Sequence, residues 1–365
     1  MVAEDQKEKQ RNSLENYKMI RRSILSINEA NEGKLFLLDN ITDEMLRVVN
    51  LYIDLLWDKK DFYSKFVSEK VDTWLSARMQ QCLGKQALEI VKSQRKRKKK
   101  TKPILKRKSF NLDSRFIDFQ SGNYFDLWIR LSSIGNKIQL KLPAKAHKHY
   151  NKFKNWERNK SIRLINKQGK WFIEVFFEKK TPELKLKGKV IGLDCGYKEL
   201  IKTSENKSYD DGIEQIYEKI SRKKQGSKAF KRALIERNNL INQSLNKIDL
   251  LDIRELVVEN LKNVKHKSKG KIKKKFNNKL QRWSYVRVLQ KLHCMTEETG
   301  VLFTKVNPAY TSQKCCNCGA ICKSNRKGKI YKCACGNNID ADLNAAINIS
   351  HMGVYSPHAL HQNIC

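Results

Sequence analysis

Three acidic residues stand where a carboxylate can do chemistry. Val190-Ile191-Gly192-Leu193 is an apolar run too short for a helix, and it reads as a buried strand ending on Asp194. Strand ends of this kind deliver side chains to sites in α/β sheets. Leu256-Val257-Val258 repeats the construction and ends on Glu259. A carboxylate closing a buried strand needs a partner, because burial without one is costly. Asp340-Ala341-Asp342 opens an alanine-rich helical pattern running to Ile349, where Asp340 suits the N-cap and both acids complement the helix dipole. The acids lie 65 and then 83 residues apart, so only folding can assemble them. Mutually repelling carboxylates are held together when divalent cations bridge them. An all-oxygen set selects hard cations and suits two-metal phosphodiester hydrolysis, with two Mg²⁺ or Mn²⁺ about 3.5–4 Å apart.

A second constellation is made of sulfur. Six of the 10 cysteines lie between Cys315 and Cys335. Cys315 and Cys318 are separated by two residues; Cys333 and Cys335, by one, and that single-residue gap departs from the usual spacing. Four thiolates so paired fit a tetrahedral structural Zn²⁺, with Gly319 and Gly336 easing the turn after the second ligand of each pair. Cys316 and Cys322 are near enough to compete as ligands. A segment as polar as KSNRKGKIYK would draw most of its folding free energy from the metal.

The elements that must position these groups belong to a 365-residue chain with 75 Lys+Arg against 38 Asp+Glu, a net charge of +37. Such an excess calls for a polyanionic partner, and nucleic acid is the one that releases most counterions per contact. With 40% hydrophobic residues, the chain has material for packed cores; 16 Gly and 5 Pro exclude collagen-like and proline-rich classes. The charged start MVAEDQKEKQRN and the lack of a long uncharged apolar run predict a soluble, unsecreted, cytoplasmic protein without membrane attachment. Cysteines in that setting are metal ligands or reduced thiols rather than a disulfide framework.

Along the chain, a charged lead precedes an extended segment at Tyr17 to Ile27 and a short strand at Lys34 to Asp39. Helical spacing is predicted from Ile41 to Val91 through Met45, Val48, Val49, Tyr52, Ile53, Leu56, Phe62, Phe66, Val71, Leu75, Leu83 and Leu88, with Thr42 as N-cap. The period then shifts to two. Phe125–Leu131 with Lys137–Leu142, and Ser161–Ile165 with Trp171–Glu178, read as hairpins around Ile134-Gly135-Asn136 and Lys167-Gln168-Gly169-Lys170. Together with the earlier strands they predict a small β-barrel carrying inserted helices, followed by a polar linker from Lys179 to Lys189. Trp283 and Tyr285, at the start of a helix over Val286 to Thr299, are expected in the core rather than stacked on bases. The tail from His351 to Cys365, with His358 and His361, is expected to be a loosely ordered terminus.

Several segments in order resemble the TnpB family of transposon-encoded RNA-guided nucleases, relatives of the compact type V CRISPR effectors. They are GLDCGYKEL around Asp194, ISRKKQGSKAFKRA from Ile220, LVVENLKNV around Glu259, the long stretch from Phe276 to Gly319, and CACGNNIDADLNAAINI ending at Ile349. The resemblance covers about Lys189 to Ser350. It implies a fold of α/β type plus β-barrel and helical parts. A RuvC, RNase H-like nuclease domain over 186–311 and 338–350 would carry an inserted zinc ribbon at 312–337. A wedge-like barrel over 1–40 and 101–185 would hold a helical recognition segment at 41–100, and 351–365 would be a tail. By the same resemblance Asp194, Glu259 and Asp342 are the catalytic acids holding two Mg²⁺ or Mn²⁺, and Cys315, Cys318, Cys333 and Cys335 hold Zn²⁺. The implied partners are a guide RNA, of transposon or CRISPR type, and double-stranded target DNA beside a short protein-read motif, bound as a monomer or as a dimer on the RNA. The stretch between Asp194 and Glu259 is short for the family.

The basic stretches are then expected on phosphates, since in such complexes pairing reads sequence while protein reads shape and charge. These are Arg95, Lys96, Arg97, Lys98, Lys99 and Lys100, continuing through Lys102, Lys106, Arg107 and Lys108. Arg222, Lys223, Lys224 and Lys228 form a second group; Lys271, Lys273, Lys274 and Lys275 form a third. The leading expectation is an RNA-guided DNA endonuclease with one RuvC site. Its alternatives are a CRISPR effector of the same chemistry, a nuclease-inactive RNA-guided repressor, and a basic zinc-ribbon protein that binds nucleic acid without a guide.

Overall fold

The computed structural model describes residues 18–59, 71–98, 100–136, 138–262, 264–267 and 273–356. It divides into two compact units, one spanning Lys18–Lys180 and the other taking the chain from Thr181 onward. The charged lead, Phe62, Phe66, Lys99, Lys271, His358, His361 and Cys365 lie outside the described residues.

In the first unit, β1 (Lys18–Ser26), α1 (Glu32–Trp57), α2 (Ala77–Arg95), β2 (Ser109–Leu112), β3 (Ile117–Gln120), β4 (Leu127–Ser132), β5 (Gln139–Ala144), the short α3 (Lys148–Asn151), β6 (Glu157–Lys167) and β7 (Lys170–Lys180) follow in order. Both predicted hairpins form, β4 with β5 and β6 with β7. The strands make two antiparallel sheets, ordered β1-β7-β6-β2 and β3-β4-β5, and among the described residues no ladder joins them into one closed barrel. Alternate residues of β7, Trp171, Ile173, Val175 and Phe177, enter a core shared with Leu38, Met45, Val48 and Tyr52 of α1 and with Leu83 and Leu88 of α2.

The strand expected at Lys34 to Asp39 is instead the first part of α1. Asn31 is the N-cap, its side chain accepting from Lys34 N at 2.9 Å, and Glu32 lies in the first turn. The buried face of the helix therefore starts before Ile41, at Leu38, with Leu35 packed against the same core. Thr42 is not a cap: it is buried in mid-helix, with Oγ1 donating to Leu38 O at 2.9 Å. Helical structure is also interrupted at 71–76, and resumes at Ala77 under an N-cap from Ser76.

In the second unit a five-stranded sheet has the order β10-β9-β8-β11-β12. Its strands are β8 (Lys189–Asp194), β9 (Ile201–Thr203), β10 (Ser208–Tyr209), β11 (Ile253–Glu259) and β12 (Leu302–Val306). The first three pair antiparallel, whereas β8, β11 and β12 run parallel. Helices α4 (Ile213–Ser221) and α5 (Lys228–Asn246) fill the stretch before β11. After β11 come the short α6 (Val264–Lys267), α7 (Lys274–Arg282) and α8 (Tyr285–Thr299). One sheet face, with Ile191, Leu193, Leu256 and Val258, packs against Ile213 and Tyr217 of α4, Ile241 and Leu245 of α5 and Val288 and Leu292 of α8. The other, with Val190, Val257 and Val306, packs against Ile349 of the last helix, α9 (Ala341–His351). Covering on both faces explains why β8 and β11 read as continuous apolar runs. Between β12 and α9 a small sheet of β13 (Arg326–Lys327), β14 (Ile330–Lys332) and β15 (Asn338–Asp340) accompanies the cysteines. Among the described residues no helix is long and apolar enough to cross a membrane.

Candidate active site and metal centre

The sheet register carries two of the acids to one place. Val258 of β11 pairs with Leu193 of β8, so Glu259 and Asp194 follow side by side at the carboxyl ends of adjacent central strands. The third acid arrives on α9, which lies directly on β8. A Cβ on Gly192 would come within 2.1 Å of Ala346 O and 2.4 Å of Ser350 N, an approach only glycine permits. Ala345 and Ala346 of that helix are both buried. Asp340 caps the helix, accepting from Asp342 N and Leu343 N at 2.9 Å each, and thereby fixes Asp342 in the first turn.

The acids feel one another. Burial first, then the charges of Glu259 and Asp342, push Asp194 up to about 7, with Glu199 adding to the rise and Arg326 opposing it. Burial also raises Glu259, against a hydroxyl donated by Thr311 at 2.5 Å and the positive charge of Arg326. Arg326 Nη2, on β13, stands 2.7 Å from Asp342 Oδ1. Glu199 joins Lys329 at 3.1 Å through Oε2, while its buried Oε1 has no hydrogen-bond partner among the described residues. Asp194 and Glu259 are largely desolvated carboxylates with a raised proton affinity, a state that divalent cations relieve, and the donors of all three acids are oxygen, a set that fits Mg²⁺ or Mn²⁺.

The sulfur ligand atoms of Cys315, Cys318, Cys333 and Cys335 all lie within 4.8 Å of one another. Cys315 Sγ is 3.7 Å from Cys335 Sγ and Cys318 Sγ is 3.6 Å from Cys333 Sγ. A tetrahedron with Zn–S bonds of about 2.3 Å has edges of about 3.8 Å, so the four thiols fit a zinc ion. Gly319 and Gly336 adopt φ of 78° and 91°, the left-handed backbone expected after each second ligand. Burial opposes ionisation of Cys315, but backbone N–H groups of Cys318 and Asn317 and the Asn337 amide stabilise its thiolate and bring it to about 6. Cys316 and Cys322 are not in the four-sulfur cluster; Cys322 Sγ instead meets Ser324 Oγ at 2.9 Å.

The basic residues divide. Lys96, Arg97, Lys98 and Lys100 are exposed after α2, as are Arg222, Lys223, Lys224, Lys228 and Lys273 in the second unit. Arg95 differs from expectation. Its guanidinium donates to Leu56 O, Trp57 O and Lys59 O and lies over the Trp57 ring, tying the end of α1 to α2. Lys102 pairs with Asp54 and Lys108 with Asp39 and Asp43, so these two also have partners within their unit. Arg222 lies 3.6 Å from Glu218. Lys274 and Lys275 begin α7, and their side chains lie outside the described residues. Tyr285 is buried as expected, and Trp283 is half-buried, packing against the core with Nε1 donating to Gly196 O. Arg326 and Thr311 carry no spacing signal: Thr311 lies in the polar stretch after β12 and Arg326 opens the two-residue β13, and each meets an acid from another segment.

The family model for the Cas12f1-like TNB domain matches residues 285–349, a span holding α8, all four clustered thiols and Asp342. Over part of its length the chain is similar to TnpB-like proteins and to the compact type V effector Cas12f1. It is 48% identical over 73 residues to the CRISPR-associated endodeoxyribonuclease Cas12f1 of Sulfoacidibacillus thermotolerans, covering 20% of this chain and 17% of that protein. It is 34% identical over 114 residues to the TnpB-like protein L79 of Acanthamoeba polyphaga mimivirus, covering 31% of this chain and 21% of the relative. The matches thus span about a fifth of these relatives' length. A solved Cas12f1–sgRNA–target DNA complex aligns over 74% of this chain and 70% of its own, at 16% identity and a TM-score of 0.48.

Proposed function

We propose that the chain is an RNA-guided DNA endonuclease that hydrolyses phosphodiesters at Asp194, Glu259 and Asp342. The observation that carries this reading is the convergence of those acids from β8, β11 and α9 into one field, in which Glu259 and Asp342 help raise Asp194. The strand order β10-β9-β8-β11-β12 supports an RNase H-like, RuvC-type domain, and the four thiols support a zinc ribbon inserted in it. The net charge of +37 supports RNA and DNA partners, and the relative's name as an endodeoxyribonuclease supports DNA as the strand cut.

Two bound Mg²⁺ or Mn²⁺ ions would supply an activated hydroxide and neutralise the leaving 3′ oxygen. Asp194, as a carboxylate, would hold them with Glu259 and Asp342, while the Thr311 hydroxyl orients Glu259 through a 2.5 Å hydrogen bond. Arg326 offers a positive charge beside Asp342 for a phosphate oxygen of the bound strand. The exposed Lys96, Arg97, Lys98, Lys100, Arg222, Lys223, Lys224, Lys228 and Lys273 would follow phosphates without reading bases. Asp194→Ala protein, assembled with the RNA that copurifies with it, is expected to keep DNA binding and lose cleavage. Retained cleavage would overturn the assignment.

A further inference from the structure

Helix α9 turns two asparagines, Asn344 and Asn348, onto its buried side; they are 0% and 4% exposed, although an apolar residue would suit a helix packed on a sheet. Buried amides are kept where they are hydrogen-bonded, and both of these are. Asn344 Oδ1 accepts from Cys316 N at 3.0 Å and its Nδ2 donates to Lys314 O at 2.8 Å. Asn348 Nδ2 donates to the same Lys314 O at 2.6 Å and to Thr311 O at 3.0 Å. The two side chains thus bind the segment from Thr311 to Cys316 onto α9 at three backbone groups.

That segment has two ends of consequence. At one, the Thr311 hydroxyl holds Glu259. At the other stands Cys315, a member of the four-thiol cluster, whose N–H closes a turn onto Ala320 O at 2.9 Å. The asparagines themselves follow Asp342 by two and six residues on the same helix. A zinc ion on the thiols would fix Cys315 and so hold Lys314 O and Cys316 N, the anchors of Asn344. With the thiols unligated, those anchors loosen together with the first turn of α9 and with Thr311.

We propose that Asn344 and Asn348 are positioning residues coupling the thiol centre to the carboxylate site, so that zinc on the thiols tightens divalent-cation binding by Asp194, Glu259 and Asp342. The inference rests on the reading of the three acids as a cation site given above. Coupling between two sites is reciprocal, so Mn²⁺ at the acids also slows loss of zinc to a chelator.

The test uses the full chain with its copurified RNA, zinc measured by mass spectrometry and Mn²⁺ titrated by electron paramagnetic resonance. Asn344→Ala and Asn348→Ala are expected to keep the parent's zinc content and circular dichroism while binding Mn²⁺ about tenfold more weakly, the usual size of an outer-partner effect. Stripping zinc from the parent should weaken Mn²⁺ by a similar factor, and should add little in the double variant. Thr311→Val, which leaves both asparagines their backbone partners, gives an independent arm should either asparagine variant fail to fold; it too should bind Mn²⁺ more weakly at unchanged zinc content. Unchanged Mn²⁺ affinity in all these variants, or zinc stripping that weakens parent and double variant equally, would overturn the coupling. Mn²⁺ binding that Asp194→Asn and Asp342→Asn leave untouched would instead overturn the cation-site reading, and the coupling with it.

Discussion

Arg326 reaches from β13 to place Nη2 2.7 Å from Asp342 Oδ1, joining the cysteine segment to the first turn of α9 by an ion pair. The guanidinium is a counter-charge to that carboxylate, with the Lys329 ammonium adding to the positive field; beside a bound strand, the same group can serve phosphate. Arg326→Gln is expected to slow single-turnover DNA cleavage about 100-fold, the range for losing one preorganised charge donor, while RNA binding stays at the parent level. Unchanged cleavage would remove Arg326 from the site.

The proton on Asp194 gives a pH signature. Its folded value of about 7 lies above the ordinary 3.8, so between those limits the folded chain holds a proton that the unfolded chain has released. Stability of the metal-free protein therefore falls as pH rises through that window and levels off above it. Mn²⁺ binding should strengthen up to about pH 7 with release of a proton, visible as a buffer-dependent heat in calorimetry. Asp194→Asn should abolish the proton release and melt higher than the parent at pH 8 without metal. A parent whose binding heat is the same in every buffer would contradict the raised value.

Gly192 tests the close approach of α9. Its added methyl would meet two backbone groups, Ala346 O and Ser350 N, neither of which can rotate away. Gly192→Ala should cost about 1–3 kcal/mol in urea unfolding, as overpacking does, and should weaken Mn²⁺ binding because Asp342 retreats with its helix. Full stability in this variant would show that helix and strand have room to separate.

Glu255 tests how the chain after α9 is secured. Wholly buried on β11, it accepts from Thr304 Oγ1 at 2.5 Å and from Val354 N and Tyr355 N at 2.8 and 2.7 Å. Glu255→Ala strands two backbone donors and should lower stability by about 3 kcal/mol. Limited proteolysis should then cut near Tyr355 earlier than in the parent, and an unaltered digestion pattern would speak against the latch.

Much of the site could be read from the chain before folding, because β8 and β11 are buried on both faces and announce themselves as apolar runs ending in acids. The glycine-containing turns marked both hairpins for the same local reason. The start of α1 was harder: Leu35 to Leu38 is apolar without interruption, and a short apolar run does not separate strand from helix until the Asn31 cap is seen. Arg95 looked like the start of a phosphate track, since nothing local says that the carbonyls closing α1 will stand beside it. Arg326, Thr311 and the two asparagines were not legible at all, because their partners come from other segments and no spacing rule links them.

The pairing of β8 with β11 under α9 also sets a clock. Asp342 follows Asp194 by 148 residues, which at ordinary rates of synthesis is about 7–30 s of translation. Until α9 leaves the ribosome and settles on Gly192, the nascent chain holds at most two of its three acids. On the proposed reading it cannot cut during that interval, while its basic amino-terminal unit is already free to meet RNA. The order of the segments thus places capture before cleavage in time.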